Sequence, residues 1–498
     1  MGRCTWLGIV LLKNAYFNPA RGVSQPEVDR AYVLLERTGF ALDVPYLNSQ
    51  AEVATGDERE CLERLGNHWK NLRVPGSEEI NWASAPQLIK LLHEDLAIEP
   101  SPIWKKGEVR DGETKLDGVA LEYLASTNSD YAVFLREIIK LRRIRGCLKY
   151  LRKLPGYVDP RDNLVHPVYG TPSDDDDRSG AKSGRSVMKN PEGQQMPNSE
   201  EKDPYAIRKG FIAPPGQVLV VRDYQAMEAV LLHCLCLALF NDNSLADSNT
   251  STFHSINARA VFGEHLGWVH PVSGLPVSSF SLEDFKTDPW LIDRRRDAKT
   301  VFYGLQFCKS ARGFAYTLLG PDGRPIGIPA ATKIVNAFHS ARPGLKKWQD
   351  YVWDYLWNSL RKSSFLPGMA GFSGRWRDVS HLVQAAIING KADWMFRKAW
   401  RQLCNHAEQE GGAAIKTTAL VHMQRSLVYT DVMGGISTYQ LGQVQNDIHD
   451  ELITRCPEKL ANEVDAIMKN TMENTYELPC GVKLGTGGGI ATNWYDAK

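Results

Sequence analysis

Arg295, Lys299 and Tyr303 recur every four residues within the segment Arg294 to Phe307, a spacing that only a helix gathers along one face. A chain carrying it must fold so that two cations and an aromatic ring share one stripe. Arg offers a planar fork and Lys a point charge for phosphate oxygens, and the ring offers a surface for stacking. Together they suit a triphosphate with a stacked base. Alone, the same stripe also fits a solvated basic face whose aromatic residue turns to the core. The choice depends on what the rest of the chain sets opposite it.

Two acidic segments supply that. Gln217 to Val221 is an apolar run with β-branched residues after Pro214-Pro215-Gly216, which predicts a buried strand. Arg222-Asp223-Tyr224 follow, and Ala226 to Phe240 predicts a mostly apolar helix, so Asp223 falls where a strand ends. Much later, Gln443 to Arg455 predicts two short strands around a tight polar turn bearing His449, Asp450 and Glu451. Two aspartates converging in this way can hold two Mg²⁺ ions about 3.5–4 Å apart for in-line phosphoryl or nucleotidyl displacement. Either one alone reads equally as an ordinary turn residue.

In order, RDYQAMEAVLLH (222–233), RRDAKTVFYGLQF (295–307) and QNDIHDELI (445–453) resemble the three polymerase motifs of family A DNA polymerases, the bacterial polymerase I and phage replicative group. The likeness runs colinearly over about residues 25–498. LLERTGFALDVPYL and the basic LREIIKLRRIRGCLKYLRKL resemble the thumb, HSINARAVFG the start of the fingers, and GTGGGIATNWYDAK the last strand and tail. The resemblance implies an α+β right-hand polymerase fold with helical thumb and fingers and an antiparallel-sheet palm. It implies template-directed addition of dNTPs to a primer 3′-hydroxyl, with primer-template DNA and dNTPs as partners. The cofactor implied is Mg²⁺, two ions, with Mn²⁺ as a substitute.

By the same resemblance Asp223 and Asp450 ligate the metals with the backbone carbonyl of Tyr224, and Glu451 is an auxiliary acid. Arg295 and Lys299 grip the triphosphate with His254 as a third partner, and Lys299 counts among the catalytic groups. Glu228 excludes a ribose 2′-hydroxyl, while Tyr303 and Phe307 stack near the incoming base. Arg185, Gln194, His449 and Asn389 match positions that touch primer or template. Several positions depart from the family pattern: Phe307 stands where Tyr is usual, Cys308 where Gly is, Asn389 where Gln is and Ala385 where Asn is. Lower fidelity is expected from the weakened minor-groove contacts. Tyr at 303 resembles the phage-type choice that accepts dideoxynucleotides.

Lys plus Arg number 59 against 58 Asp plus Glu, so binding a polyanion requires the cations to be segregated. Clusters at Arg142 to Arg145, Lys149 to Lys153 and Arg294 to Arg296 meet that need. The nine cysteines form no C-x-x-C pair, which predicts buried thiols in a reducing compartment. No signal peptide or membrane span is expected, so the expected location is cytoplasmic (a host's, if viral) or nucleoid-associated.

The expected organisation is an unassigned segment 1–24, a thumb at 25–160, a connection at 161–205, palm at 206–245 and 346–498, and fingers at 246–345. Apparent insertions lie near Trp268 to Pro276 and within Glu408 to Gln440, where surface decoration is expected over partner contact. The glycine-rich 485–489 follows no strand–helix pattern and is discounted as a phosphate loop. The family's proofreading members carry an upstream Asp-x-Glu. The triplet Asp111-Gly112-Glu113 sits in a polar turn, so this chain is expected to extend DNA without excising errors. A separate exonuclease or an upstream region could supply that activity, and an exonuclease or a processivity factor is a candidate partner. Rival readings are a single-subunit RNA polymerase, a reverse-transcribing variant, and a catalytically silent DNA-binding scaffold.

Overall fold

The computed structural model describes residues 23, 25–72, 80–101, 116–170, 185–197, 202–320, 325–362, 394–431, 437–475, 478 and 481–498. Asn389, Ala385 and the Asp111–Glu113 triplet lie outside the described residues.

A four-stranded antiparallel sheet occupies the middle of the molecule. Its strands are β6 (Gln217–Tyr224), β9 (Gln443–Ile448), β10 (Glu451–Pro457) and β11 (Thr486–Ala491), in the order β11-β6-β10-β9. Val218, Leu219, Val220 and Val221 are all buried. An unbroken apolar run of this kind belongs to a strand covered on both faces. The expected strand therefore forms, and it continues three residues further, carrying Asp223 into the ladder. β9 and β10 form the expected hairpin.

Ahead of the sheet come helix α1 (Gln25–Thr38), strand β1 (Phe40–Leu42), helix α2 (Val44–Leu72), helix α3 (Gly118–Thr127) and helix α4 (Ala132–Lys153). α2 and α4 lie against each other along much of their length. α4 buries Leu135, Ile138, Leu141, Leu148 and Leu151 at helical spacing, the pattern of a one-sided amphipathic helix. Arg136, Lys140, Lys149, Arg152 and Lys153 are exposed, while the half-buried Arg142 donates to the Leu116 carbonyl and Arg145 pairs with Glu58. β1 pairs with β2 (Leu164–Val165) and, across its other edge, with β5 (Phe211–Ile212). The remaining short ladder joins β3 (Val168–Gly170) to β4 (Val187–Lys189).

The long helical middle comprises α5 (Met227–Phe240), α6 (Phe253–Ala258), α7 (Pro289–Gln306), α8 (Gly327–Ala341) and α9 (Pro343–Lys362). α10 (Trp394–Ser426) then leads through the hairpin β7 (Val428–Asp431) and β8 (Ser437–Gln440) back to β9, and α11 (Ala461–Asn474) packs on β6, β10 and β11. Two apolar cores result. One runs from α1, α2 and α4 into the sheet, and the other fills the helical middle. α5 contributes Val230, Leu231 and Cys234 to the first and Ala229, Leu232, Leu235 and Cys236 to the second, which explains why it is apolar all round.

Two placements differ from the sequence reading. α1 packs against α10 and β9, so it lies with the sheet and apart from the α2–α4 pair. The supposed insertion 408–440 is not decoration throughout: Ala413, Ile415, Lys416, Ala419, Leu420 and Met423 of α10 are buried. The loop at Trp268 to Pro276 does project, with Val272 exposed, while His270 meets Asp288 at 3.3 Å and Trp268 packs on Phe262.

Candidate active site at the ends of the central strands

The sheet register does what the sequence could only anticipate. Asp223 lies directly opposite Glu451 in the β6–β10 ladder, and opposed residues of an antiparallel pair project from the same face. The Tyr224 amide donates to the Asp450 carbonyl at 3.1 Å. Residues from two distant segments thus meet at one end of the sheet. His449, in the turn between β9 and β10, takes φ +54°, a left-handed conformation that costs a non-glycine residue about 1–2 kcal/mol. The turn holds it because neighbours bind it: the His449 ring shares a hydrogen bond with the Gln194 carbonyl at 2.6 Å.

Each acid of the cluster faces a cation. Arg185 donates to Glu228 at 2.8 Å and to Asp450 at 3.2 Å. Lys498 lies 3.4 Å from Asp223 and 2.5 Å from Glu451. The Trp494 indole donates to the other Glu451 oxygen at 2.6 Å, and the Arg208 guanidinium stacks over the same indole at 4.0 Å. Burial pushes the Asp223 carboxyl above its usual range, with Lys498 pulling it back and Asp450 adding to the rise. Burial likewise raises Glu451, against Lys498, and raises Glu228, with Asp450 adding and Arg185 opposing.

Among the described residues, no three His, Cys, Asp or Glu side chains converge as a ready metal cluster. Arg185 and Lys498 sit closer to Glu228 and Glu451, at 2.8 Å and 2.5 Å, than to Asp450 and Asp223, at 3.2 Å and 3.4 Å, so the two aspartates are the more weakly held donors. Their hard oxygens suit Mg²⁺, which is held by one or two carboxylates and keeps several waters. Lys498 and Arg185 supply at those oxygens the positive charge that a divalent cation would bring, so the donor set fits the ion.

α7 carries the cationic stripe. Its cap Asp288 accepts from the amides of Trp290 and Leu291, with Pro289 at the first helical position, both strong start signals. The three consecutive arginines part company. Arg294 is buried, paired with Asp297 at 2.8 Å and stacked beside Trp268 and Trp290. Arg296 pairs with Asp293 at the surface. Arg295 and Lys299 form no ion pair among the described residues, and Lys299 is exposed. The Tyr303 ring lies 5.6 Å from that of His254. Phe307 caps the helix, and Cys308 has φ +57°, a left-handed conformation that glycine adopts more readily.

His254 is in place beside the stripe but not as a cation. Burial, then Lys299, Arg295 and Arg342, push its imidazole down to about 3. The unfolded chain has a histidine near pKa 6.5. The stability this group contributes is therefore present above about pH 6.5 and is lost as pH falls toward 3. Wild type should lose about 3 kcal/mol more than the His254→Gln variant between pH 7.5 and 4.5, measured by urea unfolding at both pH values. Equal losses would show that the imidazole charges freely in the folded state.

The remaining sequence-selected residues divide. Gln194 spends its side chain on the local backbone, accepting from Met188 N at 2.9 Å and donating to the Ser186 carbonyl at 3.1 Å, so it shapes the loop after β4. A cleft of about 530 Å³ lies alongside, lined by Lys149, Tyr150, Lys153, Arg185, Gln194 and His449 among others. Sequence reasoning missed Lys498, Trp494, Lys416 and Asp447. The spacing of Trp494 and Lys498 by one helical turn, and a lone lysine inside the apolar stripe of α10, were the available signals.

The family model for DNA polymerase family A matches residues 54–273 and 278–496. DNA polymerase I of Deinococcus radiodurans is 26% identical over 440 residues, covering 87% of this chain and 38% of that protein. The thermostable DNA polymerase I of Thermus aquaticus is 26% identical over 473 residues, covering 93% and 47%. The chain thus spans about half the length, or less, of the curated relatives it matches. Among solved structures, the POL domain of Pol1 from M. smegmatis, in complex with DNA primer-template and dNTP, superposes with a TM-score of 0.70 at 20% identity, covering 95% of this chain and 70% of that one. The fold is accordingly the right-hand polymerase fold, with an antiparallel palm and helical fingers and thumb. With the family model matched along most of its length, the chain belongs to DNA polymerase family A.

Proposed function

We propose that the chain is a template-directed DNA polymerase that adds dNTPs to a primer 3′-hydroxyl. The observation that carries this reading is the convergence of Asp223 and Asp450 at one end of the sheet, in a molecule whose α7 leaves Arg295 and Lys299 without acidic partners among the described residues. Primer-template DNA and dNTPs are the partners, and the cleft beside Lys149 and Lys153 suits the phosphate backbone. Thumb at 25–160, palm at 206–245 and 346–498, and fingers at 246–345 are the proposed divisions, with α1 closer to the palm.

Asp223, Asp450 and the Tyr224 carbonyl hold the divalent ions in this reading, two Mg²⁺ or Mn²⁺ in their place. Held there, such ions would lower the pKa of the attacking hydroxyl and offset charge on the phosphoryl group and departing pyrophosphate. Arg295 and Lys299 orient the triphosphate, and His254, neutral in the free protein, adds a hydrogen-bonding imidazole beside them. Glu228, held by Arg185, walls off a 2′-hydroxyl. To hold the ions, Asp223 and Asp450 would turn from Lys498 and Arg185, which would keep Glu451 and Glu228 as partners. Glu451 stays on Trp494 and orients the tail.

Among the described residues no helix is long and apolar enough to cross a membrane. Extension of a primed single-stranded DNA with Mg²⁺ should proceed with dNTPs and not with rNTPs, and Tyr303 should let ddNTPs terminate it nearly as readily as dNTPs extend it. Equal use of rNTPs would move the assignment to an RNA polymerase. Absence of any product from a folded wild type would leave a DNA-binding scaffold.

A further inference from the structure

Directly beneath the His449–Asp450 turn lies an ion pair sealed from solvent. Lys416 of α10 and Asp447 of β9 are 1% and 0% exposed. Lys416 Nζ meets Asp447 Oδ1 and also donates to the His449 carbonyl. Asp447 Oδ2 accepts from the Tyr32 hydroxyl of α1 at 2.8 Å and from Ser186 Oγ at 2.9 Å. Ser186 adjoins Arg185, the residue that holds Glu228 and Asp450. Tyr169 of β3 lies on the neighbouring Asn446, its hydroxyl donating to Oδ1 at 3.0 Å. Segments far apart in the chain thus converge on one buried carboxylate next to the turn.

Burying two charges is costly even when they pair. An apolar pair would fill the same core space, but it would not donate to the His449 carbonyl. That carbonyl belongs to the residue with left-handed backbone, and such a conformation persists only where its surroundings over-determine it. We infer that Lys416, held by Asp447, which Tyr32 and Ser186 hold in turn, is a positioning residue that fixes the aspartate-bearing turn in its metal-binding form. The inference deepens the polymerase reading and rests on it for the role of Asp450. It gives α1 and the second half of α10 a task at the active site without touching substrate.

The test titrates Mn²⁺ alone into the whole chain and reads free ion by electron paramagnetic resonance, with Asp450→Asn as the blank. Lys416→Met/Asp447→Asn removes both charges together, so neither is left buried without its partner. Its thermal midpoint and primer-template affinity should stay near wild type, while Mn²⁺ affinity and turnover fall together by about 10–100-fold, the range for groups that orient metal ligands. A folded double variant with wild-type Mn²⁺ affinity overturns the inference, and the pair is then only a core element. Should the double variant fail to fold, Tyr32→Phe decides, since it deletes a single hydroxyl from Asp447. Severalfold weaker Mn²⁺ binding supports the clamp and unchanged binding overturns it. A wild type that binds Mn²⁺ through Asp450 yet extends no primer overturns the polymerase reading alone, because the ion titration still reports on the clamp.

Discussion

Replacing Asp450 by Asn should lower single-turnover primer extension by about 10³-fold or more, equivalent to ~4 kcal/mol of transition-state stabilisation, while the protein stays folded. Asp450 sits in a turn with its side chain 20% exposed, so the substitution removes no apolar packing. Its carbonyl still accepts from Tyr224, so the ladder between β6 and β10 persists. What disappears is one of the two aspartate carboxylates, and with it the charge that would anchor a divalent ion. Arg185 keeps Glu228 as a partner and is not stranded. The same change removes one cause of the elevated Asp223 carboxyl, which should settle closer to its ordinary range. Thermal unfolding beside the extension assay separates lost chemistry from lost structure. A variant that extends normally would remove Asp450 from the reaction.

Gly488→Ala should be among the most damaging single-methyl changes in the molecule. Gly488 has φ +151°, and a Cβ there would lie 1.9 Å from the Val221 carbonyl oxygen and 2.8 Å from its carbon. Both obstacles are backbone of β6, so no side-chain rotation relieves them. β11 must lift away from β6, opening the ladder in which Gly487 pairs with Asp223 and Gly488 with Arg222. A destabilisation of about 3–5 kcal/mol is expected, at the upper end for single substitutions, with a matching loss of activity. Gly485→Ala is the control, since its Cβ would meet only the flexible Gln225 side chain at 3.3 Å. Urea unfolding of the two variants checks the contrast, and equal stabilities would mean that β11 is not packed as described. The glycine run is therefore a device for close strand approach and not a phosphate loop.

The parts of the site that local pattern could reveal were legible. The apolar β-branched run before Asp223, the hairpin at Asp450 and the four-residue period of α7 are properties of neighbouring residues, and each appears in the fold. Which of Arg294, Arg295 and Arg296 faces the site was legible mainly through the period: Trp290, one turn before Arg294 on α7, is a local neighbour, but Trp268, which completes its burial, lies elsewhere in the chain. The charge state of His254 was not legible. Its neighbours Lys299 and Arg342 reach it from α7 and from the junction of α8 and α9, and burial is a tertiary property. Lys416 and Lys498 were hidden for a related reason. A lysine reads as solvent-facing by default, and its acidic partner becomes visible only when the sheet is assembled.

α5 has no solvent-facing stripe, since one side of it belongs to the sheet's core and the other to the helical core. A rod gripped on every side cannot slide or bend without opening a void on one flank, so it behaves as a stiff axle shared by two bodies. Compliance is left to its ends, where Ala226 at φ +47° and Asn241 at φ +51° both turn the backbone left-handed. The first of these ends lies three residues from Asp223. A displacement of the helical core about this axle would therefore reach the sheet first at the end that adjoins Asp223.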